Sequence, residues 1–128
     1  MAHKKPKMLT KAELRIMDVL WEKRRATVAD VVAALAPPPL AYTTVLTMLR
    51  ILEQKDVVGR TPDGRAHVYH PKVERDEAAT SAVSDVVRSF FFNSKTALAV
   101  RLMEQERPSQ DELASIKALI AKYEEEHS

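Results

Sequence analysis

The stretch YTTVLTMLR, residues 42–50, decides how the rest of the chain is read. At about 100° per residue, Tyr42, Val45, Leu46, Leu49 and Leu52 gather on one apolar face of a helix. Thr43, Thr47, Arg50 and Gln54 fall together on the opposite face, flanked by Thr44 and Ile51. That face is short and rich in hydroxyls, carries one guanidinium and has no acidic residue. Threonine can donate, accept or present a methyl group, and arginine can grip guanine through two hydrogen bonds. A core helix with a solvated outer side has the same periodicity, so the flanking sequence must separate the two readings.

Upstream, Thr10 and Glu13 have capping-box spacing. Leu14, Met17, Leu20 and Trp21, with Val19 less central, give a first helix its apolar face through about Glu22. Lys23-Arg24-Arg25 closes it, cations being favoured at a helix C-terminus; contact with DNA is the alternative role for them. Thr27 opens a second helix with Asp30 in its first turn and Val28, Val31, Val32 and Leu35 inward. It must stop at Ala36, because Pro37-Pro38-Pro39 cannot continue it. Helix, short helix, rigid turn and polar-faced helix is the order of a helix-turn-helix. Ahead of all this, Lys4, Lys5 and Lys7 around Pro6 read as a solvated arm, with an arm that touches phosphates as the alternative.

Downstream lies VVGRTPDGRAHVYHP, residues 57–71. Val57 and Val58 start a strand, Asp63-Gly64 signals a hairpin turn, and Ala66 to His70 form the return strand. A hairpin directly after the polar-faced helix makes a winged helix. Arg60 and Arg65 are expected near the hairpin tip, where phosphates would lie. His67 and His70, three apart on a strand, point to opposite faces and do not read as a metal pair.

After Pro71 the pattern changes. Glu74 to Phe92 reads as one long helix with Ala79, Ala82, Val83, Val86, Val87, Phe90 and Phe91 on a stripe. Ala97 to Met103 is a shorter helix. Ser109 and Glu112 repeat the capping-box spacing before Leu113, Ile116, Leu119, Ile120 and Tyr123. Three such helices bury little when folded alone. Pairing with a second copy through Val83, Val86, Val87, Phe90 and Leu119 is the economical solution; packing back onto the winged helix is the alternative. The expected architecture is mainly α: a winged helix-turn-helix with a two-stranded wing over residues 1–72, then an all-helical dimerisation region over 73–128.

Composition narrows the function. A chain of 128 residues holds one domain, or a small domain and an appendage. Residues 1–72 hold 13 Lys/Arg against 7 Asp/Glu, a net +6, and residues 73–128 hold 7 against 11, a net −4. Only the front half is therefore suited to a polyanion such as double-stranded DNA. With zero Cys there is neither a disulfide framework nor a thiolate metal site. MAHKKPKMLT lacks the apolar core of a signal peptide, and no run approaches a membrane span, so a cytoplasmic location is expected. There is no HExxH, no GxSxG and no phosphate-cradling loop, with only two Gly in all. Neither an enzyme, a cofactor, a metal nor a small-molecule substrate is expected.

Together, LTKAELRIMDVLWE, ATVADVVAAL, YTTVLTMLRILEQK, DGRAHVYHP and SQDELASIKALI resemble the penicillinase and methicillin-resistance repressors, the BlaI/MecI family, over about residues 9–123. The resemblance implies a homodimeric winged-helix repressor of antibiotic-resistance genes, each subunit reading half of a palindromic operator. It also implies a membrane-bound sensor protease that relieves repression by cutting the C-terminal half. Where β-lactam-controlled relatives carry a scissile Asn-Phe pair, this chain has Arg101-Leu102. Ile51 stands at an often basic position, Asp56 replaces a usual Gly, and the cysteine cluster of copper-responsive relatives is missing. The residues expected on DNA are Thr43, Thr44, Thr47, Arg50, Gln54, Arg60 and Arg65. The rival reading is a winged helix that docks a protein and never touches DNA.

Overall fold

A computed structural model describes residues 8–127; the lysines at 4, 5 and 7 lie outside the described residues. The chain divides into two compact units, one through Val86 and one from Val87.

In the first unit, α1 (Lys11–Lys23), α2 (Val28–Ala34) and α3 (Tyr42–Gln54) precede an antiparallel hairpin of β1 (Val58–Asp63) and β2 (Ala66–Pro71). This is a winged helix-turn-helix. Reciprocal capping boxes start two of the helices. Glu13 N–H donates to Thr10 Oγ1 at 3.1 Å and Thr10 N–H to Glu13 Oε1 at 2.9 Å, with Thr27 and Asp30 repeating the pattern. The prolines after Ala36 end α2, whose C-cap is Leu35.

Ile16, Met17, Leu20, Val31, Val45, Leu49 and Leu52 are fully buried beneath Val57, Val58 and Tyr69 of the wing. Each such side chain contributes about 1.5–3 kcal/mol on burial. Leu14, expected on the apolar face, is 42% exposed, and Ile16, not expected there, is completely buried in the core. The wing is tied back by Ala26, whose N–H donates to Tyr69 O at 3.0 Å and whose carbonyl accepts from Tyr69 N–H at 2.8 Å. In the two-residue turn Gly64-Arg65, Gly64 takes φ +62°, which an L side chain rarely adopts.

The compact unit runs past residue 72, where the composition changes. Val73 is buried, and its carbonyl accepts a 2.8 Å hydrogen bond from Trp21 Nε1. Arg24 pairs with Glu74 at 2.6 Å, and Arg75 pairs with Asp18 at 2.9 Å while lying 4.6 Å over the Trp21 ring. The first turn of α4 (Arg75–Phe90) is thereby strapped to α1.

Helix α4 ends at Phe90 rather than Phe92, because Phe92 and Asn93 have left-handed φ values of 49° and 63°. Then α5 (Lys95–Gln105) is capped by Ser94, and α6 (Gln110–Glu126) by a Ser109/Glu112 capping box. Val87 is buried, but neither α5 nor α6 contains a buried residue. Val86 is half-buried, and Val83 (53%), Phe90 (76%) and Leu119 (50%) are exposed.

Candidate nucleic-acid interface

Helix α3 carries the two faces that its spacing predicts. Val45, Leu49 and Leu52 are buried completely and Leu46 is half-buried, which fixes the helix by its inner side. Thr43, Thr44, Thr47, Arg50 and Gln54 are all exposed on the outer side. Tyr42 departs from the reading: it is 53% exposed, not part of the core. It is the first residue of the helix, where the chain arrives from the proline turn and has not yet met the core.

The outer face has a definite hydrogen-bond character. Thr47 Oγ1 donates to Thr43 O at 3.0 Å, so its hydrogen is used within the helix and its lone pairs remain to accept from a ligand. Arg50 has no ion-pair partner among the described residues. The first turn of α3 has neither an acidic residue nor a side-chain cap. Its N–H groups therefore remain available to an anion such as a phosphate.

Two ion pairs fix the far end of α3, and neither is apparent in the sequence. Lys55 Nζ lies 3.0 and 2.8 Å from the two carboxylate oxygens of buried Glu13 in α1. Burial pushes the Glu13 carboxyl up, but hydrogen bonds from Lys55 and the Thr10 N–H, with the lysine's charge, outweigh it and hold the group below its ordinary 4.5. Asp56, in the place of the usual glycine, does adopt the left-handed region (φ 63°) and accepts a hydrogen bond from Lys72 Nζ.

On the wing, Arg65 sits in the turn itself and is exposed, as expected. Arg60 does not. It lies opposite Tyr69 in the ladder, three residues before the strand ends, and its Nε is 3.4 Å from Glu53 Oε2. The carboxylate on α3 draws it towards the base of the wing. His67 is exposed, whereas His70 is half-buried across the strand from Gly59. A Cβ on Gly59 would stand 2.5 Å from His70 Nε2, so the absent side chain makes room for that ring.

The exposed α3 face and the wing turn together present hydroxyls, amides and guanidinium groups, a set suited to base edges and phosphates. In the second unit Arg101 and Leu102 are exposed within α5, and the Arg101 guanidinium lies 5.6 Å over the Phe91 ring. No described helix is long and apolar enough to cross a membrane.

Comparison with known proteins agrees with this geometry. The profile of the penicillinase repressor family matches residues 9–122. The transcriptional regulator BlaI of Mycobacterium tuberculosis is 36% identical over 118 residues, covering 90% of this chain and 84% of that protein. The methicillin resistance regulatory protein MecI of Staphylococcus aureus is 20% identical over 115 residues, covering 89% and 94%. The solution structure of the DNA binding domain of the repressor BlaI superimposes with a TM-score of 0.51 at 27% identity, over 59% of this chain and 93% of that one. The chain belongs to the penicillinase repressor family.

Proposed function

We propose that this protein is a DNA-binding transcriptional repressor that acts as a homodimer on a palindromic operator. The observation that carries the reading is α3, whose exposed face of Thr43, Thr44, Thr47, Arg50 and Gln54 is backed by the buried Val45, Leu49 and Leu52. That face selects sequence, while Arg65 and the first-turn amides of α3 hold phosphates. Winged-helix residues 1–72 supply the DNA contacts. Residues 73–128 supply the dimer, through Val83, Val86 and Phe90 of α4 and Leu119 of α6; Val87, expected beside them, is buried within the subunit and is not available to a partner. The lack of any buried residue in α5 and α6 supports this assignment, because amphipathic helices of this length need cover.

Release from the operator follows cleavage of the C-terminal half by a membrane-bound sensor protease. Arg101-Leu102 is the proposed bond, exposed but within α5, so cutting requires local opening of that helix. Mapping the fragments by mass spectrometry in induced cells tests this step, and an intact chain on derepressed DNA excludes it.

DNA binding is tested by selecting duplexes from a randomised pool with the full chain and measuring affinity against salt. A repressor loses about three orders of magnitude between about 50 and about 200 mM salt. A protein-docking winged helix selects no duplex, and that result would refute the proposal.

A further inference from the structure

We infer that Arg15, a residue of α1 that need not touch DNA, is a positioning residue for the recognition helix α3. The inference rests on the DNA-binding reading above. Pro37, Pro38 and Pro39 have no N–H to donate, so the connection between α2 and α3 cannot satisfy its own carbonyls as an ordinary turn does. Arg15 does so from 21 and 23 residues away. Its Nη2 donates to Ala36 O at 2.6 Å and also to Pro38 O.

Among the described residues, no other device at the start of α3 takes on this task. Its N-cap is Ala41, which provides no side-chain hydrogen bond. Leu40 is only partly buried against the core, and Tyr42 is exposed. Arg15 is anchored more firmly, because its neighbours Ile16 and Met17 are completely buried. One guanidinium nitrogen thus refers the position of a proline turn to the interior of the domain. An interface that reads base edges needs its supporting groups held this closely.

The arrangement separates two quantities that a phosphate contact would change together. Loss of Arg15 should loosen the approach of α3, and so weaken binding to the selected duplex more than binding to a scrambled one. The number of phosphates neutralised stays the same, so the salt slope does too.

The test uses the full-length chain, its Arg15→Ala and Arg15→Lys variants, and the duplex selected by the parent beside a scrambled duplex. Arg15→Ala is expected to lose about tenfold in affinity for the selected duplex, with scrambled-duplex affinity, salt slope and cooperative unfolding preserved. Amide resonances of Thr43 to Arg50 should shift in the free protein. Arg15→Lys keeps a charged donor without the planar fork, and should restore part of the loss. Equal losses on both duplexes, with a salt slope shallower by about one, would make Arg15 a phosphate contact and overturn the inference. Unchanged binding by Arg15→Ala would overturn it as well. If the parent itself selects no duplex, the DNA-binding reading fails, and the resonances decide positioning alone: shifted in α3 they support it, unshifted they refute it.

Discussion

Lys55, the C-cap of α3, places its ammonium 2.8 Å from Oε2 of Glu13, a carboxylate buried in α1. The same carboxylate caps α1 through Thr10, so one side chain closes a helix start and ties down a helix end.

This pair should make stability depend on acid. The folded Glu13 titrates below its ordinary 4.5, so its contribution is complete above that value and is lost as pH falls through the lowered one. Glu13→Gln should cost about 1.5–3 kcal/mol near neutral pH. Its unfolding free energy should also decline less steeply than the parent's below about pH 5. Denaturant titrations across the acid range check both, and parallel acid limbs would contradict the assignment.

On the proposed reading face of α3, Arg50→Ala should weaken binding to the selected duplex by about 1–3 kcal/mol and relax sequence preference. Thr47→Val retains a methyl group and loses the hydroxyl, both its lone pairs and its hydrogen bond to Thr43 O, but no charge, so its effect should be the smaller. Both positions are exposed, and unfolding should shift by no more than about 0.5 kcal/mol. An Arg50→Ala chain that binds as tightly as the parent would show that another face meets DNA.

The two wing arginines should behave differently. Arg65→Ala is expected to weaken selected and scrambled duplexes alike and to reduce the salt slope by about one. Arg60 is occupied by Glu53 at 3.4 Å, so Arg60→Ala should leave the slope nearly unchanged. Equal slopes for the two variants would mean that Arg60 leaves Glu53 when DNA arrives.

Dimerisation can be tested without disturbing the buried core. Phe90→Glu and Leu119→Lys replace exposed side chains, so each variant should stay helical by circular dichroism and sediment as a monomer. Operator affinity should fall by about 10²–10⁴ as the second half-site loses its effective concentration. A variant that still sediments as a dimer would move the interface elsewhere. Truncation after Lys72 is a poorer test, since it removes buried Val73 and the carbonyl that holds Trp21.

What the sequence made legible was local. Thr10/Glu13, Thr27 and Ser109/Glu112 announce helix starts, the three prolines announce a stop, and Asp63-Gly64 announces the hairpin, because each signal acts within a few residues. Periodicity also separates Val45, Leu49 and Leu52 from Thr43, Thr47 and Arg50. It misplaces Tyr42 and Leu14, since it gives the direction of a side chain but not where the neighbouring element ends. The partners of Arg60, Glu13 and Arg15 were out of reach for another reason. A charge looks the same in sequence whether it faces water, a carboxylate 42 residues away or a main-chain carbonyl 21 residues away.

The indole strap between α1 and the start of α4 also gives the molecule a built-in optical gauge. Trp21 is the only tryptophan of the chain, is 8% exposed, and donates its ring N–H to Val73 O. Its emission therefore comes from one shielded ring in a fixed hydrogen bond, with no second indole to dilute it. When the first turn of α4 lifts away, that ring meets water and the emission moves to the red. Seating of this turn can thus be followed in the unlabelled protein, in the presence of DNA or a protease.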